Sequence, residues 1–207
     1  MVHNINESVG DALEKIKSAA VGRSVQKPPD VQRKCDAVVT RYGDFASFMK
    51  KFSSDVQEKA GQNIDAVFSG SAPTLAILNQ TYGSGSAETF LACHICIVQN
   101  FCGIPKKLTE EELFNLGKVI ASSFYYLKTS ELCLFFLWLK TGKYGKFYGC
   151  IDPMVITNGL QQFAKERVDY ITAAENRKHL EEKEQLLQRT NAITYSEYKE
   201  YLRKHGL

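Results

Sequence analysis

The chain has 207 residues, enough to bury a sizeable core and form one domain, or a main domain with appended helices. Its 44% hydrophobic and 24% charged residues are ordinary for a soluble globular chain. A formal net charge of +3 is too small to argue for nucleic acid by itself, and the most apolar run, Leu132–Leu139, is too short for a membrane span of about 20 residues.

The charge is unevenly placed. Residues 1–103 carry ten Lys and Arg against ten Asp and Glu, whereas residues 104–207 carry sixteen against thirteen, so the whole excess lies in the second half. Met1–Glu7 lacks the basic start and apolar core of a secretory signal, and a cytoplasmic location is expected. The six cysteines then read as reduced, partly buried thiols rather than a disulfide framework.

In chain order, Pro28-Pro29 lies in a polar connector, Gly22–Asp30, and favours an extended linker, so the segment before it reads as an arm. Val31, Cys35, Val38, Val39, Tyr42, Phe45, Phe48, Met49, Phe52 and Val56 then recur at three- and four-residue steps. That spacing predicts one apolar face, on one helix or on two broken near Gly43. Gly61–Pro73 reads as a second polar connector, and Leu75, Leu78 and Tyr82 as a short helix entering the main domain. Phe90, Leu91, Ile95, Ile97, Val98 and Phe101 predict a buried helix.

Thr109-Glu-Glu-Glu112 is a capping box before Leu113, Leu116, Val119, Ile120, Phe124 and Leu127, and predicts a helix starting there. Thr129 or Ser130 is expected to cap the next helix, whose body Leu132–Leu139 is apolar on all sides and suits a central buried element. Asp152-Pro153 starts a further helix through Ile156, Leu160, Phe163, Arg167 and Ile171 into the charged stretch Glu175–Arg189. A capping box at Thr194–Glu197 opens a last, short one. The expected fold is all-α: an irregular multi-helix bundle with an N-terminal helical arm over residues 1–70, a central domain over 71–173, and a protruding charged C-terminal helix within 174–207.

Lys140-Thr-Gly-Lys-Tyr-Gly-Lys-Phe-Tyr-Gly149 packs three glycines, three lysines and three aromatics into ten residues, and no acid follows it before Asp152. Lys140, Lys143 and Lys146 supply charge for phosphate or carboxylate, while Tyr144, Phe147 and Tyr148 offer faces for stacking. Gly142, Gly145 and Gly149 let the backbone turn or approach a partner closely. The glycine spacing is not that of a phosphate-binding ATPase loop. A structural alternative has the glycines turning the chain, the aromatics folded into the core and the lysines in water. Glu131 and Arg167 are read as supports that could hold the loop in place, or Glu131 as an ordinary first-turn carboxylate.

Cys93, Cys96 and Cys102 form the one metal-like cluster, but the second knuckle of a zinc site is missing. In an apolar helix such cysteines act as small hydrophobes. Cys93 and His94 are adjacent, which turns them about 100° apart on a helix and argues against a catalytic dyad. No serine elbow, zinc-protease or dinucleotide motif is present, so no catalytic residue and no cofactor are expected.

The order Pro73–Leu78, Tyr82-Gly83, Lys107-Leu-Thr109, Tyr126–Leu132, Phe135-Phe136, Lys140–Gly149, Asp152-Pro153 and Glu166-Arg167 resembles a family of uncharacterised proteins carried by bacteria and their mobile elements. The resemblance spans residues 71–170, implies a bacterial or phage origin, and brings no activity with it. The helical domain with its Gly-Lys-Tyr-Gly-Lys loop is also similar to small accessory proteins that phages and plasmids use around DNA replication. The expectation is a non-enzymatic binding or adaptor protein with a protein partner and no membrane. Single-stranded nucleic acid bound on the same loop is the alternative, and a small zinc protein the third.

Overall fold

The computed structural model describes residues 27–189 and 194–206; the arm expected before Lys27 lies outside them. Ten α-helices make up the described chain: α1 Pro29–Tyr42, α2 Phe45–Lys51, α3 Ser54–Gln62, α4 Ile64–Ser69, α5 Leu75–Tyr82, α6 Ser86–Phe101, α7 Glu110–Ser123, α8 Thr129–Lys140, α9 Pro153–Arg189 and α10 Tyr195–His205. Extended pairing among the described residues is confined to two isolated bridges, Thr74 with Lys128 and Lys106 with Cys150. The all-α expectation holds.

Helix ends follow local chemistry. Pro29 opens α1, and Gly43, at φ +77°, ends it. Thr109 and Glu112 form the reciprocal box that starts α7. Asp152 Oδ1 accepts from the Met154 amide at 2.8 Å as α9 begins. Two segments differ from expectation. The polar stretch 61–73 contains a helix, α4, because the Asn63 side chain accepts from the Ala66 amide and Val67 and Phe68 supply a buried face. Thr129 is the first helical residue of α8 rather than its cap. Its amide donates to Pro73 O at 2.9 Å and the Ser130 hydroxyl to Val67 O at 3.1 Å, so both serve tertiary bonds, while Lys128 occupies the cap.

The chain divides into two compact units, the first reaching to Phe163 and the second starting at Ala164. At the centre of the first is α8, with Leu132, Cys133, Leu134, Phe135 and Phe136 all fully buried. Helices α3, α4 and α6 pack on it, α7 packs on α6, and α1 on α5 and α2. The segment 29–69, expected as part of an arm, belongs to this unit. Its apolar face carries Phe48, fully buried with ring centroids 4.6 Å from Phe52 and 6.2 Å from Phe90. Burying a phenylalanine is worth about 1.5–3 kcal/mol, so such a face does not stay in water.

The start of α9 closes the unit through Ile156, Leu160 and Phe163, all fully buried. The second unit holds the rest of α9, whose side chains from Glu175 to Leu187 are exposed, and α10, opened by the expected Thr194–Glu197 box. Among the described residues no helix is long and apolar enough to cross a membrane.

Candidate functional site

The end of α8 builds the glycine–lysine–aromatic segment. The Gly142 amide donates to Leu139 O at 3.1 Å and the Lys143 amide to Trp138 O at 3.0 Å. This pair of bonds closes a helix end around a left-handed residue, and Gly142 fills that place at φ +80° without the penalty a Cβ brings. Lys143 then lies back over its own helix, with its Nζ 3.6 Å from the centre of the Trp138 ring. The Gly145 amide donates to Gly142 O at 3.2 Å and carries the turn onward.

The three aromatics part ways. Tyr144 is 8% exposed and stacks on Phe135, centroids 5.3 Å apart. A Cβ on Gly159 of α9 would stand 2.8 Å from Tyr144 Cβ, so that glycine is what admits the ring. Phe147 is half-buried, and Tyr148 is 85% exposed. Structural turn and outward surface are therefore both present in one segment.

Of the lysines, Lys143 and Lys146 are exposed, and Lys140 is half-buried with its Nζ 5.3 Å from the centre of the Phe101 ring. Burial lowers the Lys140 pKa, while the carboxylate of Glu58 and the thiols of Cys102 and Cys133 pull it back up.

Sequence reasoning missed the neighbours. The Lys106 amide donates to Gly149 O at 3.4 Å, and Lys106 pairs in parallel register with Cys150. That seam sets the α6–α7 connection beside the loop. Lys106 and Lys107 on that connection are exposed, as is Phe101 at the end of α6, at 66%. Lys107 Nζ donates to Asn100 Oδ1 at 2.6 Å, which ties that lysine to the end of α6. One signal was legible: between Glu88 and Glu110 the chain has no acidic residue, as it has none between Glu131 and Asp152. The fold joins these two acid-free segments.

The remaining expected site residues are Glu131, Arg167, Cys93, Cys96 and Cys102. Glu131 is fully buried at the opposite end of α8, roughly 13 Å along the axis from Lys140, where its Oε2 accepts from the Lys128 amide at 2.9 Å. It stands in the first turn of α8. Arg167 falls in the second unit. Cys93 and Cys96 are half-buried on α6 and Cys102 is exposed beyond it. Among the described residues no three of His, Cys, Asp and Glu gather as a metal site. Burial pushes the Cys93 thiol up to about 11, which keeps it protonated and a poor nucleophile near neutrality.

His94 faces inward from α6, between the rings of Phe90 and Phe136 at 4.4 and 5.6 Å. Its Nδ1 lies 2.7 Å from Gln57 Nε2, and the Phe52 backbone also hydrogen-bonds the ring. Burial drives its pKa down to about 4, the Phe52 bond opposing and Lys140 assisting. The neutral ring ties α3 to α6 through Gln57.

Comparison with known proteins adds one result. Residues 109–206 match DUF6633, a family of unknown function. The matching segment takes in α7 to α10 and the whole Lys140–Gly149 loop, but not Phe101, Lys106 or Lys107. It starts later and ends later than the span of the resemblance read from sequence, 71–170, and like it names a family without a known function. No curated protein and no solved structure matches the chain.

Proposed function

We propose that this is a non-enzymatic binding protein whose contact surface is the Lys140–Gly149 loop together with the α6–α7 connection, and that it holds a protein partner there. The observation that carries the reading is the division of labour inside the loop. Buried Tyr144 and the Gly142 helix cap fix the turn, and Tyr148, 85% exposed, is carried outward next to Lys146. A large aromatic presented on a fixed backbone is the usual anchor of a protein interface, since little conformational entropy is lost when it docks. On the resemblance read from sequence over residues 71–170, we take a replication assembly, including a replicative helicase, as the first partner class to test.

A second reading, single-stranded nucleic acid on the same face, draws on the meeting of two acid-free segments around Lys106, Lys107, Lys140, Lys143 and Lys146. Retention of partners by the tagged chain at moderate salt, beside binding to labelled single- and double-stranded DNA across a salt series, separates the two. A protein contact predicts a partner that Tyr148→Ala releases, with little DNA affinity. Nucleic-acid binding predicts an affinity that falls steeply with salt, with a slope flattened by Lys143→Ala/Lys146→Ala. If both variants leave every affinity intact, the loop is not the contact surface.

A further inference from the structure

The partner's chemistry can be taken further, on the proposed function as its premise. The face has a composition that neither contributing segment shows alone. Lys106 and Lys107 enter from the α6–α7 connection, Lys140, Lys143 and Lys146 from the loop, and the Lys106–Gly149 bond joins the two. Three acids offset them in part: Glu58 acts on Lys140, Glu112 on Lys106, and Asp152 caps α9. Two open apolar side chains, Phe101 and Tyr148, belong to the same pair of segments. Net positive charge beside exposed rings fits an anionic segment that also carries an apolar residue.

The stacking inventory favours peptide over nucleic acid. Successive bases need successive open faces. Here Tyr144 is turned inward onto Phe135, and Lys143 already covers the Trp138 ring at 3.6 Å. Lys140 Nζ stands 5.3 Å from the centre of the Phe101 ring, which stays 66% exposed. What is left is charge with the exposed rings of Phe101 and Tyr148, which suits carboxylates spaced along a peptide and one apolar anchor. We propose that this face binds an acidic linear segment of a partner protein, its carboxylates meeting Lys106, Lys107 and Lys146 and an apolar side chain lying between Phe101 and Tyr148.

Fluorescence anisotropy of the full chain with a labelled peptide of Asp and Glu containing a single Phe tests this. An Asn/Gln counterpart and labelled oligothymidine serve as the other probes. The acidic peptide is expected to bind, to weaken as salt rises, and to lose about tenfold in affinity with Lys106→Ala/Lys107→Ala. Lys106→Arg/Lys107→Arg should keep the binding, since charge rather than shape is read. Both lysines are exposed, so these changes spare the fold. Equal binding of the neutral peptide, tighter binding of oligothymidine, or an undiminished double-alanine variant would overturn the proposal. A natural partner that Tyr148→Ala releases but the acidic peptide does not displace would also overturn it, leaving the proposed function in place. A partner indifferent to Tyr148→Ala would remove that function itself.

Discussion

His94 is expected to make this fold acid-labile in a window set by its burial. Unfolded, the ring titrates near 6.5; folded, burial holds it at about 4. Between those values the unfolded chain takes up a proton that the native chain refuses, so stability is fully present above pH 6.5 and falls as pH drops toward 4. One proton is worth 1.36 kcal/mol per pH unit, which makes the loss about 2 kcal/mol at pH 5 and about 3 kcal/mol once the window is crossed. The structural reason is explicit: protonation would put a charge between Phe90 and Phe136 and set an N–H against the Gln57 amide, with Lys140 adding repulsion. Urea unfolding from pH 7.5 to 4.5 measures the slope, with His94→Gln alongside to subtract the carboxylates common to both. The variant is less stable at pH 7.5 but loses less between pH 6.5 and 4.5. Equal slopes in the two proteins, or a native His94 titrating above pH 6 by NMR, would refute the assignment.

Two further predictions concern packing. Gly159→Ala places a methyl 2.8 Å from Tyr144 Cβ and 3.3 Å from Phe135 Cε2, and should destabilise the chain by about 1–3 kcal/mol in denaturant unfolding while loosening the loop's inner wall. Unchanged stability would mean that Tyr144 is not held against α9. Thr129 is fully buried, and its hydroxyl finds no hydrogen-bond partner among the described residues. Thr129→Val should therefore be neutral or stabilising by about 1 kcal/mol, whereas a loss of more than that would reveal a bond the hydroxyl makes.

Much of the helix pattern was legible because it rests on local rules. Thr109 with Glu112, Thr194 with Glu197 and Asp152-Pro153 mark helix starts through side chains within three residues of one another, and all three stand where expected. The uniformly apolar run 132–139 had to be enclosed, and it is. What failed locally had a distant cause. Thr129 and Ser130 look like caps in sequence, yet their amide and hydroxyl answer carbonyls of Pro73 and Val67, more than fifty positions earlier. The stretch 61–73 looks like a linker by composition, but two buried residues, Val67 and Phe68, suffice to hold a short helix on α8. His94 showed no sign in sequence of which way it faces.

The loop shows why a motif read from composition yields only part of a site. Its ten residues suit either a binding surface or a structural turn, and the structure divides them between the two. Gly142 and Tyr144 serve the turn, one as a left-handed helix cap and the other as a core ring, and Lys146 and Tyr148 face out. The same glycines and aromatics that argued for a ligand are thus partly used up in making the turn. The lost surface is regained from another part of the chain, because the Lys106 amide, bonded to Gly149 O, seats the α6–α7 connection beside the loop. Spacing within ten residues carries no information about that neighbour. Charge does: two stretches of about twenty residues without an acid, in a chain with 23 acidic residues, mark the segments that the fold sets side by side.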